Sequence, residues 1–155
     1  MLADQSARRN LFRVGLAAGA LLPFVVAGPM ESHAMSGYKW KNRPLVVFAP
    51  NNQSAAFRRQ VAIINARRSG FRERDMVVIA VVGNRVQALI GRGPGMSAVA
   101  LRRRYGVAAG SFRAILVGKD GGVKLSTGSP LSTGRLFGTI DAMPMRRQEM
   151  RRRGS

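Results

Sequence analysis

Cysteine is missing from all 155 residues, which excludes disulfides, thiolate metal sites and thiol redox chemistry. Histidine occurs once, at His33. If the N-terminal segment is removed as described below, nothing remains to build a Ser-His or Cys-His pair or an imidazole metal site. Acidic residues are scarce, 7 against 26 Lys and Arg, for a formal charge of +19. That balance favours association with nucleic acid, anionic lipid or other polyanions, and it is no argument about fold. No internal repeat is visible. The apolar content of 46% and the length suit one ordinary domain with an extra N-terminal segment.

That segment, residues 1–34, reads as an export signal. A polar start leads to Arg8-Arg9-Asn10-Leu11-Phe12-Arg13, then a weakly apolar run from Val14 to Gly28, then Ser32-His33-Ala34. These are an n-region, an h-region and an A-x-A-like site, with cleavage expected after Ala34. The run is about 15 residues and contains Pro23, short of the roughly 20 that a membrane-spanning helix needs, so no stable membrane span is expected after cleavage. The pair Arg8-Arg9 resembles the twin-arginine signal of bacterial export, with Ala7 where Ser or Thr is usual. The expected compartment is periplasmic or secreted.

The rest of the chain is organised around Pro44-Leu45-Val46-Val47-Phe48-Ala49-Pro50, a continuous apolar run that reads as a strand buried on both faces in mid-sheet. In open α/β sheets the crevice beyond the carboxyl end of such a strand is the usual ligand position. Here it holds Asn51, Asn52, Gln53 and Ser54, where the first amides of the next helix are free to accept an anionic group. Ahead of the strand, Tyr38-Lys39-Trp40-Lys41 alternates aromatic and basic. It reads either as a short strand or arm whose Trp40 covers one end of the core, or as a stacking platform for bases.

A helix is expected from Ala55 to Ser69, with Phe57, Val61 and Ile64 on one stripe, Ser54 as N-cap and Gly70 as stop. Met76 to Val82 is a second buried strand, and Gly83-Asn84 turns the chain into a return arm, Arg85 to Ile90. Gly91-Arg92-Gly93-Pro94-Gly95 lacks the Gly-Lys-Ser/Thr ending of a phosphate loop. A helix over Ser97 to Tyr105 carries Arg102, Arg103 and Arg104 in its last turn, where cations complement the helix dipole. The same three arginines are a candidate anion site. Phe112 to Val117 and Val123 to Ser126 form a hairpin about Lys119-Asp120-Gly121-Gly122. Ser132 then caps a helix bearing Leu136, Ile140 and Met143, ended near Pro144. From 146 to 155 the chain reads as a basic, solvated tail, in which Arg146, Arg147, Arg151, Arg152 and Arg153 are candidate polyanion contacts. Among carboxylates, Glu73 and Asp75 read as loop residues in local ion pairs and Asp120 as a turn residue.

The resulting class is α/β: a three-layer sandwich, with a mixed sheet of about four to five strands and helices on both faces. This order, together with Tyr105-Gly106-Val107 and Ile115 to Lys124, resembles the thioredoxin-like core. Three segments, Trp40 to Pro50, Leu101 to Val107 and Leu136 to Arg147, resemble more specifically a bacterial family of unknown function numbered 4174, exported thioredoxin-like domains related to domains in animal sushi-repeat extracellular proteins. The resemblance implies a thioredoxin-like domain over residues 35–145 and no assigned activity. The redox pair of thioredoxins would fall at Asn51 to Ser54, and their proline before the third strand is replaced by Ser111-Phe112. No redox activity and no cofactor are therefore expected. The expected role is binding, to another envelope protein or an anionic surface, with nucleic acid as the alternative. Composition alone leaves a Ser-Lys or Asn-based mechanism open.

Overall fold

The central strand owes its position to having no polar side. In the structure, a computed structural model that describes residues 34–155, β1 (Arg43–Ala49) is buried at every residue. It lies in the middle of a five-stranded sheet of order β3-β2-β1-β4-β5. It pairs in parallel with β2 (Met76–Val82), from Arg43 opposite Met76 to Ala49 opposite Val82. Its other neighbour, β4 (Arg113–Val117), is antiparallel. The return arms β3 (Arg85–Ile90) and β5 (Val123–Thr127) form the edges and are largely open to solvent, with only Ile90 buried. The expected export signal, with Arg8 and Arg9, lies outside the described residues.

Alternation along the strands divides the interior in two. Leu45, Val47, Ala49, Val78 and Ala80 face helix α1 (Ala55–Ala66), α2 (Arg68–Glu73) and α4 (Thr133–Asp141), which contribute Phe57, Ile64, Phe71, Leu136 and Ile140. Val46, Phe48, Ile79, Val81 and Ile115 face α3 (Ala98–Tyr105) with its Leu101, and the incoming segment with Met35 and Tyr38. Full burial of each large aliphatic or aromatic side chain is worth about 1.5–3 kcal/mol, so the two clusters are the main source of stability. Helices on both faces of a mixed sheet make the expected three-layer sandwich of thioredoxin-like form.

Four local expectations change. The helix after β1 stops at Ala66, breaks at Arg67 (φ −137°) and resumes as α2, so Gly70 lies inside a helix and not after one. A Cβ at Gly70 would come within 2.7 Å of Phe137 Cε2; the glycine is there to let α2 approach the ring on α4. Residues 37–41 form a turn and not a strand, and Tyr38 covers the core, its hydroxyl donating to Arg92 O at 2.7 Å. Trp40, at φ +63°, is 66% exposed. Finally, Pro144 does not end the structure. It is the first residue of a further helix, α5 (Pro144–Arg153), a position where a missing N–H costs nothing. The expected solvated tail is therefore helical from 144 to 153, and the domain runs past residue 145.

Candidate functional site

At the carboxyl end of β1, Asn51, Asn52 and Gln53 are exposed and Ser54 is half-buried. The amides there are partly spent on local side chains. Gln53 N donates to Asn51 Oδ1 at 2.9 Å, and Ser54 caps α1 by accepting from Phe57 N at 3.4 Å. These polar side chains form a solvated rim with fewer free donors than the sequence promises.

Beneath that rim the structure places Arg102, which is buried. Its Nη2 donates to Ala49 O and to Gly83 O, each at 3.1 Å, tying the ends of β1 and β2 together, and its guanidinium lies 5.6 Å from the Phe48 ring centre. The arginine triplet is thus not one anion site. Successive helical residues are about 100° apart, so three in a row cannot share a face, and Arg102 falls one turn after buried Ala98. Arg103 and Arg104 are exposed.

The opposite end of the sheet is an ionic pole. Arg43, at the start of β1 and 1% exposed, forms a two-pronged pair with Glu149 of α5 at 3.0 and 3.2 Å. Lys119 binds the same carboxylate at 2.7 Å and Asp75 at 2.9 Å. Arg74 holds Asp141 through two bonds of 3.0 and 2.7 Å, and Arg146, also 1% exposed, reaches Asp141 at 3.2 Å and Glu73 at 2.9 Å. Burial pushes the Glu149 carboxyl up, but its hydrogen bonds to Arg43 and Lys119 outweigh this and hold it at about 2. Burial likewise opposes ionisation of Asp141, and the Arg74 and Arg146 guanidiniums prevail, so its pKa is lowered.

Arg146 is accordingly removed from the candidate polyanion contacts, because burying it unpaired would be prohibitive and its carboxylate partners fix it inside. Arg153 donates to Glu73 O at 2.7 Å and is half-committed to the same pole. Arg147, Arg151 and Arg152 remain exposed. Glu73 and Asp75 are not merely local pairs, since their partners Arg146 and Lys119 are distant in sequence. Asp120 fills the turn role expected of it, accepting from Gly122 N and Lys124. Sequence reasoning missed Arg43, Arg74 and Lys119. The one available signal was Arg43 directly preceding a strand buried at both faces.

Between residues 34 and 155 the carboxylate side chains are Glu73, Asp75, Asp120, Asp141 and Glu149, and every one is in an ion pair. Of the exposed arginines, Arg58 and Arg59 of α1, Arg103 and Arg104 of α3 and Arg147, Arg151 and Arg152 of α5 have no carboxylate partner among the described residues, whereas Arg153 pairs with Asp75 at 3.6 Å. No group of three or more acidic or His residues able to hold a metal occurs among the described residues. Nor is any described helix long and apolar enough to cross a membrane.

Fold and surface together define a class: a cysteine-free α/β sandwich of thioredoxin-like form with its acids internally consumed and its surface cationic. Within it, the chain belongs to the family described as a domain of unknown function, DUF4174, whose model matches residues 34–149. It is also similar to coiled-coil domain-containing protein 80 of Danio rerio, 29% identical over 133 residues, covering 75% of this chain and 15% of that protein. No solved structure matches the chain significantly.

Proposed function

We propose that this domain is an exported, non-catalytic binding module whose partner presents an anionic surface. The observation that carries the reading is the separation of charge use: the carboxylates are spent at the ionic pole and in one turn, while Arg58 and Arg59 of α1, Arg103 of α3 and Arg147, Arg151 and Arg152 of α5 stand exposed. A surface with that much unneutralised charge accelerates and strengthens contact with a polyanion. Export is supported by the order of basic, apolar and small residues before Ala34, and by a family match that starts at residue 34. The rim at Asn51 to Gln53, exposed at the end of the central strand, supports a second contact with an envelope protein.

The test is binding of the full chain to heparin and to duplex DNA at about 50 and 200 mM salt. Neutralising six or more phosphates predicts a loss of roughly a thousandfold over that range. Truncation at Pro144 is unsuitable because it removes Glu149 and Arg146, so the comparison is Arg147→Ser, Arg151→Ser and Arg152→Ser combined. A weakened salt dependence in that variant supports the reading, and salt-independent or absent binding refutes it. N-terminal sequencing from the natural host checks export: a chain beginning at Met35 is expected, and an intact Met1 overturns it.

A further inference from the structure

On the face of the sheet that α3 covers, a cavity of about 390 Å³ opens between the incoming segment and the carboxyl end of α3. That volume is within the usual range for small-molecule sites. Met35, Tyr38, Tyr105 and Val117 give it apolar walls, and Lys39 and Arg104 supply its cations. Neither cation has a carboxylate partner among the described residues. The carboxylate of the adjoining turn, Asp120, is already held by Lys124 at 2.6 Å.

Both cations are positioned by their surroundings. The Lys39 stem lies over Gly121, where a Cβ would come within 2.6 Å of Lys39 Cε, and where φ is +84°. Glycine thus satisfies the turn and leaves the groove in which the lysine rests. The Arg104 guanidinium lies 5.8 Å from the Tyr105 ring centre. Neither phenol brings a negative charge that would occupy the cations. Tyr38 already donates its proton to Arg92 O, and burial raises the pKa of Tyr105 despite the guanidinium beside it, so it stays neutral.

We propose that this cavity binds a small amphiphilic anion, with an apolar chain or ring seated against Met35, Tyr38, Tyr105 and Val117 and a carboxylate-type head between Lys39 and Arg104. This differs from the polyanion surface, which needs many exposed cations and no apolar walls. The complementarity is twofold: apolar walls reject a bare inorganic anion, and the cations reject an amphiphile of positive charge.

The full chain is titrated with dodecanoate and with dodecyltrimethylammonium, which share a tail and differ in the sign of the head. Calorimetry gives affinity and stoichiometry, and backbone NMR locates the site. Expected are saturable binding of one dodecanoate, amide shifts at Tyr105, Val117 and Gly121, and no binding of the cation. Lys39→Gln with Arg104→Gln weakens dodecanoate roughly tenfold or more, the loss of charge-assisted hydrogen bonds. Arg85→Gln with Arg135→Gln removes equal charge from β3 and α4 and leaves affinity unchanged. Absence of dodecanoate binding, equal weakening by both variant pairs, or equal affinity for the two amphiphiles overturns the proposal.

Discussion

Glu149→Gln tests the energetic role of the ionic pole. Glu149 carries a pKa of about 2 in the folded chain, against about 4.3 for an unperturbed Glu. At 1.36 kcal/mol per pKa unit, ionic contacts to Arg43 and Lys119 contribute on the order of 3 kcal/mol, because the carboxylate is only 18% exposed and weakly screened. The sign follows from the depressed value. The contribution is fully present above the unfolded pKa and is lost as pH falls through the folded one. Glutamine keeps the shape and an acceptor but not the charge, so Glu149→Gln should lose about 2–3 kcal/mol at pH 7, a drop in Tm on the order of 10 °C. The difference should shrink between about pH 4.5 and pH 2 and vanish below it. Urea unfolding of both chains at pH 7, 4 and 2 measures this. A difference that is independent of pH, or under about 0.5 kcal/mol at pH 7, refutes the assignment. Because Arg146 is the only buried residue of α5, amide exchange should also show this helix opening before the sheet.

Three further perturbations test a buried cation, a buried amide pair and a close helix contact. Arg102→Met takes the guanidinium from Gly83 O and from Ala49 O, which keeps its bond from Gly83 N at 3.1 Å, and should cost about 1–3 kcal/mol by urea unfolding, with the salt slope of heparin binding unchanged once the protein is folded. Gln60→Leu breaks a buried reciprocal pair, Nε2 to Leu131 O at 3.1 Å and Leu131 N to Oε1 at 2.6 Å, and should cost on the order of 2–4 kcal/mol. Gly70→Ala forces a methyl to 2.7 Å from Phe137 and should cost about 1–3 kcal/mol, most of it recovered in Gly70→Ala with Phe137→Leu; thermal unfolding of the single and double variants gives the coupling.

What the sequence determined by itself is local. A run from Leu45 to Ala49 with no polar residue must be covered on both sides, so its place in mid-sheet and the helices on both faces follow from solvation alone. Ser54 and Ser132 cap α1 and α4, and Gly106 closes α3 at φ +63°, because capping is a matter of neighbouring backbone groups. Tertiary structure decided which arginines are surface. Arg102 and Arg103 are adjacent and chemically identical, yet one clamps two strand ends and the other faces water. Arg146 looks like the start of a solvated tail and is, with Arg43, among the largest fully buried side chains of the described residues. Whether a cation can be buried depends on the carbonyls and carboxylates that meet it, and here those come from residues as far apart as Arg43 and Glu149, which only the completed fold brings together.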